Sequence, residues 1–122
     1  MSNKLTVLLV DDHALVRRGF RRILEDEPSF SVVGEASDGL EAVQLAEQLH
    51  PQVIVMDCAL PQMNGIEATR RILAKSPHIS ILMLSMHSED TLVRQALEAG
   101  ARGYILKNAM DLDLTAAIKK IA

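Results

Sequence analysis

Aromatic side chains are almost missing from this chain: Phe20, Phe30 and Tyr104 are the whole set, and there is no tryptophan. A core must therefore be filled by Leu, Ile, Val, Ala and Met. Cysteine occurs once, at Cys58, which excludes an internal disulfide framework and suits a reducing compartment. Excess positive charge is lacking as well. The formal net charge is −3, so the domain lacks the basic footprint of a nucleic-acid binder, and any contact with DNA falls to another domain. The apolar run near the N-terminus, Leu5–Val10, is too short for a membrane span, ends in two aspartates and has no signal-peptide cleavage region. A cytoplasmic protein without membrane contact is expected. Repeats, low-complexity tracts and linkers are also absent, and 122 residues suit one domain that buries one sizeable core.

What is present is alternation. Short apolar runs at Leu5–Val10, Phe30–Ala36, Val53–Met56, Ile79–Leu84 and Tyr104–Leu106 are separated by segments of helical period. Four runs are nearly continuously apolar, as strands covered on both faces must be. Phe30–Ala36 is interrupted by Ser31, Gly34 and Glu35, which places it at a sheet edge. Between the runs, Val16, Phe20, Ile23 and Leu24 form one stripe; Val43, Ala46 and Leu49 a second; Ile66, Thr69, Ile72 and Leu73 a third. Leu92, Val93, Ala96 and Leu97 form the fourth, and Leu114, Ala117, Ile118 and Ile121 the fifth, each spaced as a core-facing helix requires. Asp38 and Ser88 suit N-caps and Gly100 suits a helix stop. The fifth helix starts less clearly, with Asn108 or Asp111 as its cap. Five such units in a row predict an α/β fold with a parallel sheet between two helical layers. Sites in such sheets form beyond the carboxyl ends of the strands.

The polar residues fall at those ends. The first run stops at Asp11-Asp12, the third at Asp57, the fourth at Ser85 and the fifth at Lys107. Each alone is an ordinary turn residue; four positions on four strands at one edge are not. Two like charges about 4 Å apart repel by about 4 kcal/mol at an effective dielectric of ~20, so converging carboxylates call for a cation. Hard oxygen ligands around an open site suit Mg²⁺, and no Cys/His spacing supports zinc. A carboxylate nucleophile, a metal, an ammonium and a hydroxyl are the parts that phosphoryl transfer to aspartate needs. Asp57 ends the central run and is the candidate nucleophile. Asp11 and Asp12 suit metal holding, Lys107 charge neutralisation and Ser85 hydrogen bonding.

At Val7-Leu8-Leu9-Val10-Asp11-Asp12-His13, Val55-Met56-Asp57, Leu60-Pro61-Gln62-Met63-Asn64-Gly65, Leu84-Ser85-Met86-His87 and Gly103-Tyr104-Ile105-Leu106-Lys107, the sequence resembles the receiver domain of two-component response regulators. The likeness runs through essentially the whole chain. Asp12-His13, Asn64-Gly65-Ile66-Glu67-Ala68 and Gly100-Ala101-Arg102-Gly103-Tyr104 are similar to the NarL/FixJ branch. The resemblance implies a CheY-like doubly wound sheet of five strands in order 2-1-3-4-5, flanked by five helices. It implies Asp57 as phosphoacceptor, with Mg²⁺ held by Asp11, Asp12, Asp57 and the backbone carbonyl of Cys58. Lys107 pairs with the phosphoryl group, Ser85 hydrogen-bonds it, and Tyr104 swings inward as the switch. The implied donor is a sensor histidine kinase or phosphotransfer protein. Such a domain catalyses only its own phosphorylation and dephosphorylation. It also implies residues 1–122 as one receiver domain, a homodimer formed on phosphorylation, and a C-terminal helix-turn-helix output domain outside this chain. The alternative is a free-standing or phosphorylation-independent receiver that acts as an interaction module.

Other features read more plainly. Arg17, Arg18, Arg21 and Arg22 form a basic band, either a solvated face or a docking surface for an acidic kinase partner. His13 and His87 read as surface residues, and Cys58 as a small packing residue. An aspartyl phosphohydrolase of the haloacid-dehalogenase type wants a second aspartate two residues after the first, where Ala59 stands. A dinucleotide site wants a glycine-rich loop after the first strand, where Asp11-Asp12-His13-Ala14 stands.

Overall fold

A computed structural model describes residues 4–85, 90–106 and 110–122, with side chains at all of these except 90 and 110–113. Strands and helices alternate without exception: β1 Leu5–Val10, α1 Ala14–Glu25, β2 Phe30–Ala36, α2 Gly39–Leu49, β3 Val53–Asp57, α3 Gly65–Lys75, β4 Ser80–Ser85, α4 Asp90–Glu98, β5 Gly103–Leu106 and α5 Met110–Ile121. The five strands form one parallel sheet in the order β2-β1-β3-β4-β5. Both the doubly wound class and this strand order agree with expectation, and Phe30–Ala36 lies at an edge. Four boundaries move, one of them at β5, which starts at Gly103 paired with Leu82. The third strand continues through Asp57 and the fourth through Ser85, because their backbones still pair with Leu84 and Leu106. Ile79 drops out of the fourth strand, since its N–H closes a turn onto the Ser76 carbonyl instead.

The period of two along each strand divides the core into two layers. Leu8, Val10, Ile54, Met56, Ile81 and Met83 face the helices α2, α3 and α4. Val7, Leu9, Val53, Val55, Leu82 and Leu84 face α1 and α5. The first layer meets Ala42, Ala46, Ala68 and Ala96, small residues that let helices lie close to the sheet. The second takes Phe20 and Phe30, two of the three aromatics. Burying each large aliphatic side chain contributes roughly 1.5–3 kcal/mol, so the aliphatic core suffices without tryptophan.

Helix starts follow from side-chain chemistry. Asp38 accepts the Glu41 N–H at 2.7 Å, while the Glu41 carboxylate accepts the Ser37 N–H at 2.8 Å, a reciprocal cap for α2. Asn64 accepts the Glu67 N–H at 2.9 Å and starts α3. Gly100, at φ +111°, ends the α4 segment in a conformation that disfavours a Cβ. The expected caps at Ser88 and Asn108, and the side chain of Asp111, lie outside the described residues.

Candidate functional site at the carboxyl edge of the sheet

Parallel pairing fixes what meets at the strand ends. Val10 pairs with Met56, and each is followed by an aspartate. Asp11 and Asp57 thus leave adjacent strands at the same level. Asp57 pairs with Leu84 and Ser85 with Leu106, which brings Ser85 to the same edge one strand further on. Asp11, Asp57 and Ser85 are all buried, at 0%, 3% and 4% exposure. Lys107, His87 and Met86 lie outside the described residues.

The turn after β1 gathers ligand atoms tightly. Atoms of Asp11, Asp12 and His13 lie within 4.8 Å of one another. The His13 N–H donates to Asp11 Oδ1 at 2.9 Å, and His13 Nδ1 stands 3.0 Å from Asp12 Oδ1. His13 is a surface residue, as expected, and it borders the acids. Asp57 reaches the edge from β3 and is not within that 4.8 Å grouping. Its Oδ1 accepts the Ala59 N–H at 3.1 Å, which steadies the carboxylate toward its own loop. The Cys58 side chain is buried, and the Cys58 carbonyl accepts the Gly65 N–H at 3.0 Å.

Two glycines make this edge buildable. A Cβ at Gly65 would lie 2.1 Å from the Asp57 carbonyl oxygen, and one at Gly39 would lie 1.9 Å from that of Met63. Only glycine lets α3 start this close to the end of β3, and α2 this close to the following loop. Within that loop Gln62 holds φ 67°, the left-handed region, directly after Pro61. Sequence reading quoted Asn64-Gly65 without finding these close approaches, because no pattern in one strand reports the distance to the next helix.

The basic band on α1 does not stay whole. Arg17 Nε donates to Glu35 of β2 at 2.8 Å, and Arg21 bonds Glu35 and Glu25. Burial pushes the Glu35 carboxyl up, but hydrogen bonds from Arg21 and Arg17, with their charges, outweigh it and hold Glu35 below its ordinary value. Arg18 and Arg22 remain exposed beside Leu15, which is 80% exposed, and make no ion pair among the described residues. A groove of about 540 Å³ lies elsewhere, between β5 and α5, and is lined by Arg102, Lys120 and apolar residues. Its described lining contains no acid, so the chemistry belongs to the acidic edge and not to this groove.

An oxygen-rich set with a buried carboxylate, a solvent-facing one and a backbone carbonyl fits a hard divalent cation such as Mg²⁺. No described helix is long and apolar enough to cross a membrane.

Comparison with known proteins agrees with this geometry. The response regulator receiver domain model matches residues 7–119. The transcriptional regulatory protein DegU of Brevibacillus brevis is 45% identical over 98% of this chain and 51% of its own length. The chain therefore spans about half the length of the curated relatives it matches. A LuxR-family two-component response regulator from Aurantimonas superimposes with a TM-score of 0.93 at 42% identity, covering 97% of this chain and 84% of that one. A chain of the CheX–CheY–BeF3–Mg²⁺ complex from Borrelia burgdorferi superimposes at 0.84 with 26% identity, covering 96% and 86%. The matched domain, the sheet order and the LuxR-type relatives together assign the chain to the response regulator receiver family, in its NarL/FixJ branch.

Proposed function

We propose that Asp57 is the phosphoacceptor of this receiver and that Mg²⁺ assists it. The observation that carries the reading is the β1–β3 register, which sets Asp11 and Asp57 side by side in buried positions. An Asp57 carboxylate oxygen attacks phosphorus of a phosphohistidine, the P–N bond breaks, and the phosphoryl group leaves the imidazole for the aspartate as an acyl phosphate. Asp11, Asp12, Asp57 and the Cys58 carbonyl would hold Mg²⁺. When bound, the ion neutralises charge on the phosphoryl oxygens. Lys107 pairs with the transferred group, and the Ser85 hydroxyl donates to it. Ala59 leaves the position two residues on without an acid, so the chain turns over no external phosphoester and acts only on its own acyl phosphate.

The phosphoryl group adds nearly two negative charges and three acceptor oxygens at this edge. Drawing Ser85 toward it vacates space beside β4. Tyr104, half-buried on β5 and paired in register with Met83, moves into that space and reshapes the surface of β5 and its flanking helices. This is a population shift between two packings of one chain.

The donor is a sensor histidine kinase or phosphotransfer protein, and exposed Arg18 and Arg22 beside Leu15 suit an acidic partner with an apolar anchor. Output is transcription through a C-terminal helix-turn-helix domain, supported by relatives about twice as long as this chain, one of them a transcriptional regulatory protein. Phosphorylation promotes a receiver homodimer, and the protein works in the cytoplasm. Nothing observed favours a phosphorylation-independent interaction module.

The test is incubation with acetyl phosphate and Mg²⁺, read by intact mass. One added phosphoryl group is expected, lost on chelation and absent in Asp57→Asn. No adduct on the wild type, or equal loading of Asp57→Asn, overturns the reading.

A further inference from the structure

We propose that Arg17 is a positioning residue for the cation site: anchored by Glu35, it fixes the Asp11 carbonyl and with it the turn that presents Asp11 and Asp12. The proposal rests on the reading of these two aspartates as cation ligands.

The residue that starts α1, His13, makes no side-chain cap, and the first turn of the helix carries no acid. Hydrogen bonds that hold the turn after β1 include the Asp11 N–H to the Ala36 carbonyl at 3.1 Å, the His13 N–H to Asp11 Oδ1 at 2.9 Å, and Arg17 Nη1 to the Asp11 carbonyl at 2.6 Å. The last is the shortest, and it is charge-assisted. Arg17 is covered, with 19% of its side chain exposed. One guanidinium spans two elements: Nε bonds Glu35 Oε1 at 2.8 Å on β2 while Nη1 bonds the turn. Glu35 pairs in register with Leu9, two residues before Asp11, so the anchor belongs to the sheet and not to a loop. A planar fork holds two acceptors at once in fixed geometry, which a lysine ammonium on a flexible stem does less well.

Charge alone would argue against an arginine here, since a cation beside a cation site repels the ion. Glu35, itself bonded by both Arg17 and Arg21, offsets that repulsion. Geometry and charge therefore predict opposite signs when Arg17 is removed.

The experiment titrates the chain with Mn²⁺ and reads free Mn²⁺ by electron paramagnetic resonance, with folding checked by circular dichroism. Wild type should bind one ion, and Asp12→Asn should weaken it. Arg17→Ala should weaken it about 10-fold, in line with residues that orient metal ligands from behind. Arg17→Lys, which keeps the charge, should recover part of that loss. Arg17→Ala binding that is unchanged or tighter, beside a normal wild type and a weakened Asp12→Asn, overturns the role of Arg17 and leaves the cation site standing. Wild type that binds no ion, or Asp12→Asn that binds like wild type, removes the cation site and the proposal together. Should Arg17→Ala fail to fold, Arg17→Lys decides: weaker binding than wild type supports positioning, and equal binding overturns it.

Discussion

The two ends of the sheet are made from the same strands and solve opposite problems. At the amino end, polar groups satisfy one another. Thr6 and Gln52 exchange hydrogen bonds between β1 and the start of β3, with the Thr6 N–H on Gln52 Oε1 at 3.0 Å and the Gln52 N–H on Thr6 Oγ1 at 2.9 Å. Ser80 donates to the Ile121 carbonyl at 2.9 Å and accepts from Arg102 at 3.1 Å, tying β4, the residue before β5 and the last turn of α5. At the carboxyl end, acids are buried side by side, two glycines admit backbones at distances no Cβ allows, and Gln62 sits at positive φ. One end contributes stability through matched polar partners. The other holds groups that, on the proposed reading, also take up an ion and a phosphoryl group from outside.

That contrast can be broken by substitution. Gly65→Ala should cost about 3 kcal/mol, since the new Cβ would press on the Asp57 carbonyl and the backbone must move. Urea unfolding reads the loss, and phosphorylation by acetyl phosphate should fall in the population that remains folded. Normal loading in that population would uncouple this glycine from the site. Ser80→Ala, at the other end, should cost about 1–2 kcal/mol through two lost hydrogen bonds and leave phosphorylation at the wild-type rate. A slowed reaction there would erase the division between the two ends.

The smallest effect concerns Glu27, whose carboxyl is lowered to about 2 by the Ser29 hydroxyl and N–H and by Lys119 of α5. A carboxyl lowered in the folded state favours folding above its ordinary value of 4.5, and that contribution fades as pH falls from there toward about 2. Glu27→Gln should flatten the acid limb of thermal stability within that window and leave phosphorylation at neutral pH unchanged. An acid limb that Glu27→Gln leaves as steep would mean that Glu27 adds nothing to it.

Much of this division was legible in the sequence. The strands announced themselves as continuous apolar runs, and the broken run with Glu35 marked an edge. Asp11, Asp57 and Ser85 were readable because each follows an apolar run directly, and Asp12 because it stands next to Asp11. Strand order was different: it came from resemblance, since periodicity names elements and not their neighbours. The pairing of Arg17 and Arg21 with Glu35 was hidden for a physical reason. It spans 18 and 14 residues and depends on a register that shifts between Val7 and Leu8, where β2 carries one extra residue. Arg17, Arg18, Arg21 and Arg22 thus looked like one basic surface, whereas two of them are spent on the sheet. Gln62 gave no signal either, since glutamine does not mark a left-handed turn as glycine or asparagine does.

The most direct measurement locates the phosphoryl group itself. After loading with acetyl phosphate and Mg²⁺, borohydride reduction converts an acyl-phosphorylated aspartate to homoserine, and peptide mass spectrometry finds the converted residue. The account predicts homoserine at position 57 alone. Conversion at Asp11 or Asp12, or a loaded chain with no converted aspartate, would contradict it.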